Sequence, residues 1–273
     1  MTRFEELGLS ADLLQSLADL KFEHATPVQE QAIPYILESE NDLIAFAQTG
    51  TGKTAAFGLP VLEKTDPSVR HVQALVLSPT RELCLQIAKD LENLSKYSRG
   101  VKVCAVYGGA SIDKQIREIK QGAQIIVGTP GRSLDLIKRN VLKVDELRWL
   151  VLDEADEMLS MGFKDELDAI LAGTPQDKQT LLFSATMPRE MMAIAKKYMH
   201  HPQEITVGKK NSGADNVEHH FYMVHAKDRY LVLKRLVDLN PDMYGIVFCR
   251  TRRETNEIAE KLIKDGYNAD ALH

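Results

Sequence analysis

Leu43-Ile44-Ala45-Phe46-Ala47-Gln48-Thr49-Gly50-Thr51-Gly52-Lys53-Thr54 is the stretch on which the chain turns. Its first four residues form an apolar run with the length of a buried strand, and the residues after Lys53 carry a helix start. Between them, Gly50 and Gly52 permit backbone conformations that a side chain would forbid. Successive N–H groups can then face one anion while the new helix adds its positive dipole end. Such a loop is a phosphate cradle in which Lys53 supplies a point charge for the outer phosphates and the Thr54 hydroxyl can ligand Mg2+. The pattern usually opens on glycine and here opens on Ala47, so a plain glycine turn before a helix is the competing reading.

Working outward, short apolar runs recur at Ala74–Leu77, Val101–Val106, Ile125–Val127, Trp149–Leu152 and Leu181–Phe183. Each is apolar on both faces, and helical periodicity fills the gaps at Glu82–Leu94, Ser111–Ile119 and Glu190–Tyr198. Strands buried on both faces and separated by helices imply an α/β fold, a doubly wound parallel sheet with helices on both sides. Ahead of the loop, Ser10 caps an amphipathic helix through Leu13, Leu14, Leu17 and Leu20, and a second helix starts at Thr26-Pro27-Val28-Gln29. In sheets of this kind ligands sit beyond the carboxyl ends of the strands.

With 273 residues, 44% of them apolar and 27% charged, the chain is expected to fold as two domains. A domain over 1–207 is followed by a polar, glycine-bearing linker at 208–217 and a partial second domain at 218–273. The second is expected to hold strands at Phe221–Val224 and Ile246–Cys249 with helices at Tyr230–Leu239 and Glu254–Ile263, and it looks cut off. The net charge of −5 argues against a generally sticky nucleic-acid binder but leaves local grooves open. Cys84, Cys104 and Cys249 lack paired metal spacing, and the adjacent pairs His200-His201 and His219-His220 point apart, so neither a disulfide framework nor a zinc site is indicated. The N-terminus lacks the apolar core of a signal peptide and no run reaches membrane-spanning length, so a soluble, cytoplasmic protein with no membrane partner is expected.

Asp153-Glu154-Ala155-Asp156 emerges from the fully apolar Trp149–Leu152 at a strand end. Beside a phosphate loop, Asp153 can hold magnesium and Glu154 can orient or deprotonate an attacking water. An acidic helix start favoured by the dipole is the competing account, and it suits Asp156 and Glu157.

The phosphate loop, Pro79-Thr80-Arg81-Glu82-Leu83, Thr129-Pro130-Gly131-Arg132, Asp153-Glu154-Ala155-Asp156 and Ser184-Ala185-Thr186 stand in the order of the DEAD-box ATP-dependent RNA helicases, which the chain resembles from Phe4 to its last residue. The resemblance implies a RecA-like domain and the start of a second one. It assigns Lys53, Asp153 and Glu154 to catalysis, and Thr54 and Asp153 to Mg2+ bound with ATP. It places Phe4, Phe22, Thr26 and Gln29 with Ala47, Gln48, Thr49, Gly50, Thr51, Gly52, Lys53 and Thr54 around the nucleotide. Gln29 can pair with adenine N7 and N6–H. The residues alone leave this even with a capping box in which Gln29 reaches back to Thr26. Lys21 and Ala25 stand where the family often has glycine and proline.

RNA, sequence-independent, is implied as partner at Pro79, Thr80, Arg81, Gly108, Gly109, Thr129, Pro130, Gly131 and Arg132. Helix N-termini there can receive backbone phosphates. A Glu82–Arg132 ion pair is expected to join two of these loops. Ser184 and Thr186 are expected to bond Asp156 and couple nucleotide state to unwinding, and Phe248 falls in the next motif, with Arg250 or Arg252 as RNA contacts. The family's second domain carries arginines that complete the ATP site, and their motif lies downstream of Ala271-Leu272-His273. The chain alone is therefore expected to turn over poorly. A non-helicase phosphate-loop enzyme and an ATP-dependent RNA-binding module without turnover are the alternative functions.

Overall fold

Every apolar run around the glycine loop becomes a parallel strand. The computed structural model describes residues 2–207, 218 and 220–272, so the expected linker at 208–217 and His219 lie outside the described residues. The chain divides into two units, Met1–Gly213 and Ala214–His273.

In the first unit the chain runs α1 (Ala11–Asp19), α2 (Pro27–Glu38), β1 (Leu43–Phe46), α3 (Lys53–Lys64), β2 (Ala74–Leu77), α4 (Arg81–Leu94), β3 (Val103–Val106), α5 (Ile112–Lys120) and β4 (Ile125–Gly128). It continues through α6 (Pro130–Lys138), β5 (Trp149–Asp153), α7 (Ala155–Ser160), α8 (Lys164–Ala172), β6 (Gln179–Ser184), α9 (Arg189–Tyr198) and β7 (Gln203–Thr206). The strands form one parallel sheet in the order β3-β4-β2-β5-β6-β1-β7.

Alternation along each strand feeds two cores. Leu43, Ala45, Ala74, Val76, Val151 and Phe183 point to the layer built by α1–α4. Ile44, Phe46, Leu75, Leu77, Leu152 and Leu182 point to the layer built by α5–α9. The tilted pair Phe57–Phe183, with ring centroids 5.3 Å apart, joins α3 to the centre of the sheet. Burial of a side chain that size stabilises by roughly 2–3 kcal/mol. Asp42 fixes the start of β1 between its neighbours, accepting the Thr180 N–H and the His200 N–H, each at 2.6 Å. Burial raises its carboxyl above the ordinary value, and these two N–H groups offset part of that rise.

One strand expectation needs correcting in this unit, and one strand was not expected. The run at 101–106 pairs only over Val103–Val106, and Val103 and Ala105 are half-buried because β3 is an edge. β7, at the other edge, buries only Ile205 and so left no apolar run to read.

In the second unit, α10 (Arg229–Leu239) and α11 (Arg252–Lys264) form close to their expected positions. The expected strands at Phe221–Val224 and Ile246–Cys249 do not form. Neither run has a ladder partner among the described residues, and a parallel strand depends on neighbours and on cover over both faces. Among the described residues no helix is long and apolar enough to cross a membrane.

Candidate nucleotide site and RNA face

The loop after β1 closes onto α3 with Gly50 at φ 78° and Gly52 at φ 89°, conformations a Cβ would strain. A Cβ on Gly52 would also stand 2.3 Å from Gln29 Nε2. That closeness is used, for Gln29 Nε2 donates to the Gly52 carbonyl at 3.0 Å, and Gln29 Oε1 accepts from the Thr26 N–H at 2.9 Å. The Gln29 arm of the capping box thus exists, while Thr26 Oγ1 is buried without a hydrogen-bond partner, and the same carboxamide ties the start of α2 to the phosphate loop. Thr51 Oγ1 donates to the Gln48 carbonyl at 2.7 Å, which tightens the loop from within.

A cleft of about 500 Å³ brings together Phe22, Thr26, Gln29, Thr49, Gly50, Gly52, Lys53, Thr54, Asp153 and Glu154. Ala47, Gln48 and Thr51 lie outside its lining and shape the loop behind it. Phe4, at the rim, is buried to 3% exposure and supports the face of Phe22, with ring centroids 6.5 Å apart and 21° between planes. Phe22 is 46% exposed and free to receive a flat ligand. It is aimed by the turn that ends α1, where its N–H donates to the Leu17 carbonyl at 2.9 Å and the Lys21 N–H to Ala18 at 3.0 Å. Lys21 sits at φ 59° there, a position glycine fills without the roughly 1 kcal/mol a side chain costs.

Lys53 Nζ stands 4.0 Å from Asp153 Oδ1, both side chains being buried. Burial pushes the Asp153 carboxyl up to about 6, and the Lys53 charge only partly opposes this. Glu154 follows in the left-handed region at φ 51°, where its N–H donates to Asp153 Oδ1 at 3.1 Å. Strain at a non-glycine residue of this kind is what a functional strand end tolerates. Beside it, Thr186 donates to Asp156 Oδ2 through Oγ1 at 2.7 Å and through its N–H at 3.0 Å, and the Asp156 N–H reaches Ser184 Oγ at 3.4 Å. Adjacent strands β5 and β6 are therefore linked at their ends.

None of the residues expected to meet RNA lines that cleft, and they stand at the ends of β2, β3 and β4. Thr80 caps α4, accepting from the Leu83 N–H at 3.2 Å, and Pro130 opens α6 after Thr129. Gly108, Gly109 and Gly131 are exposed, with Gly109 at φ 78°. The expected Glu82–Arg132 ion pair is not formed. Arg132 Nη1 instead donates to Gln115 Oε1 at 2.8 Å and to the Ala110 carbonyl at 3.3 Å, because α5 brings a buried amide nearer than the exposed Glu82. Arg81 lies over the Tyr107 ring, 5.0 Å from its centroid. Gln115 and Tyr107 escaped the sequence reading, as did Gln86, Asp90 and Asn93, which line the cleft from α4. Only the polar spacing of those three along one face of α4 could have signalled them.

A parallel sheet with a glycine loop after one interior strand and a buried acid at the end of another defines a phosphate-loop nucleotide-binding domain of RecA-like fold. The chain belongs to the DEAD/DEAH box helicase family, whose model matches residues 26–194. It is 49% identical, over its whole length, to ATP-dependent RNA helicase CshA of Listeria monocytogenes serovar 1/2a, of which it covers 52%. Over 99% of its length it is 44% identical to ATP-dependent RNA helicase DeaD of Haemophilus influenzae, covering 44% of that protein. The chain thus spans about half the length of these curated relatives. Among solved structures, it resembles a DEAD box protein of Methanococcus jannaschii with a TM-score of 0.73 and 42% identity, over 100% of this chain and 73% of that one. S. cerevisiae Dbp5 bound to RNA and ADP BeF3 is similar with a TM-score of 0.83 and 32% identity, over 98% and 68% of the two chains.

Proposed function

We propose that the chain is the nucleotide-binding and RNA-binding part of an ATP-dependent RNA helicase, hydrolysing ATP in an RNA-stimulated cycle that separates short duplexes. One observation carries this: residues from α2, the phosphate loop, α3 and the end of β5, far apart in sequence, converge on a single cleft.

Adenine would lie on Phe22 and meet Gln29. Thr26 and Gly52 use one acceptor site and one donor of that amide, so one of each remains for N7 and N6–H. The N–H groups around Gly50 to Gly52 would receive the phosphates, with Lys53 neutralising the outer ones. Thr54 and Asp153 offer hard oxygen donors suited to Mg2+, and a buried carboxyl held near 6 is short of positive charge, which fits a cation arriving with the nucleotide. When bound, Mg2+ offsets charge developing on the transferred phosphoryl group. Glu154 would hold the attacking water and take its proton. The Asp156–Thr186 bond would pass the state of β5 to the connection after β6. RNA phosphates would sit on the N-termini of α4 and α6 beside Arg81 and Arg132, with the Gly108-Gly109 turn close by. Contacts of this kind read no sequence. Since RNA is the proposed substrate, the cytoplasm is the proposed location.

The test compares ATPase rates with and without RNA for this chain and for a protein of the relatives' full length. RNA stimulation is expected in the longer protein and little turnover in this chain, which spans about half the relatives' length. Glu154→Gln in the longer protein is expected to lower the rate by roughly 100-fold or more while ATP binding stays. Turnover indifferent to RNA and yielding a phosphorylated metabolite would mark a different phosphate-loop enzyme. A parent with no turnover to lose would mark a binding module.

A further inference from the structure

We infer that Gln115 is a positioning residue that holds the RNA-contacting loops in register by clamping Arg132 to the turn after β3. The inference rests on the RNA face proposed above. That face is assembled from three separate connections, after β2, β3 and β4, and connections at strand ends move independently unless something ties them. Gln115, on α5, is 4% exposed, and both ends of its carboxamide are engaged. Oε1 accepts from Arg132 Nη1 at 2.8 Å, and Nε2 donates to the Tyr107 carbonyl at 3.1 Å. Tyr107 in turn lies under the Arg81 guanidinium. A continuous line thus runs from Arg81 through Tyr107 and Gln115 to Arg132, and it crosses all three connections.

The remaining contacts of Arg132 are weaker. Its Nη1 and Nη2 reach the Ala110 carbonyl at 3.3 and 3.4 Å, near the limit of useful hydrogen bonding. Without Gln115 the guanidinium would keep only this long, shared acceptor. The Tyr107 carbonyl, just beyond the edge strand β3, would lose its side-chain donor. A buried amide with both ends satisfied specifies one arrangement of its partners, whereas an apolar side chain of similar length would fill the space and specify none. Two of the five guanidinium N–H donors are left for a phosphate, and the clamp fixes where they point.

The test is a double-mutant cycle read by anisotropy of a fluorescent single-stranded oligouridylate, with binding of a fluorescent ADP measured in parallel. Gln115→Met is expected to weaken RNA binding by about tenfold and to leave ADP binding unchanged. In an Arg132→Ala background the same substitution is expected to cost less than about twofold, since the residue it positions is gone. Additive losses, or ADP affinity falling in step with RNA affinity, would show general destabilisation and overturn the inference. Gln115→Glu keeps an acceptor for Arg132 but has no donor for the Tyr107 carbonyl, so it severs the clamp at one end and is expected to weaken RNA binding by about fivefold with ADP binding unchanged. RNA binding equal to the parent there would overturn the inference even if Gln115→Met did not fold. A parent chain that binds ADP but no RNA would remove the RNA face itself, an outcome distinct from an additive cycle on a chain that binds RNA.

Discussion

Thr186 is exposed, yet its hydroxyl and its N–H both converge on one oxygen of Asp156. Burial acts to raise the Asp156 carboxyl, and the hydrogen bonds from Thr186 and Ser184 overcome it, so the group titrates below its ordinary value. A carboxyl lowered in this way stabilises the fold at pH values above its unfolded pKa, near 4, and the contribution is lost as pH falls through the folded value. Thr186→Val is therefore expected to cost about 1 kcal/mol at neutral pH, discounted for solvent exposure, with the gap to the parent closing as the pH falls below about 4. Urea midpoints of both proteins across that range measure it, and a gap independent of pH would assign the loss to packing. The Asp156 partnership was legible because hydroxyls and an acid stood at the ends of two apolar runs. The left-handed backbone of Glu154 and the double use of Gln29 were not, since both depend on what lies across the cleft.

At the scale of elements, α3 carries Lys53 and Thr54 at one end and is packed on α4 along its length. A Cβ on Gly58 of α3 would stand 2.5 Å from Leu91 Cδ2, and Leu91 is fully buried, so any shift must be taken up inside the core. Alanine is the better helix former by about 1 kcal/mol, whereas overpacking a core of this density costs about 1–3 kcal/mol. The second effect wins, so Gly58→Ala is expected to lower Tm and, by shifting α3, to weaken nucleotide binding. A higher Tm would mean that α4 can move aside. Strands buried on both faces were readable from their apolar runs, as were the amphipathic helices. β7 was not, because an edge strand with one buried side chain has no pattern. Phe221–Val224 and Ile246–Cys249 are the opposite case, apolar runs that find no ladder among the described residues.

For the whole molecule, no local pattern gives the order β3-β4-β2-β5-β6-β1-β7, which places β5 and β6 between β1 and β2 and so sets Asp153 against the phosphate loop. Strand order follows from how crossovers pack, and the sequence reading, which went as far as a doubly wound parallel sheet, did not contain it. The two units differ in what their sequences can bury. The first encloses two cores, whereas Phe221 and Phe248 of the second are 86% and 91% exposed and its described residues form helices without a sheet. Local opening follows the number of buried apolar contacts. Limited trypsin treatment of this chain is therefore expected to cut at Arg229, Arg250, Arg252 or Arg253 before any site preceding Val207. ATP with Mg2+ should further protect the first unit alone, because a ligand stabilises only the unit whose folded state binds it. Mass spectra of the early fragments decide the order. Early cuts inside the first unit, or protection by nucleotide spreading to Arg229 and beyond, would mean that the units of this chain open together.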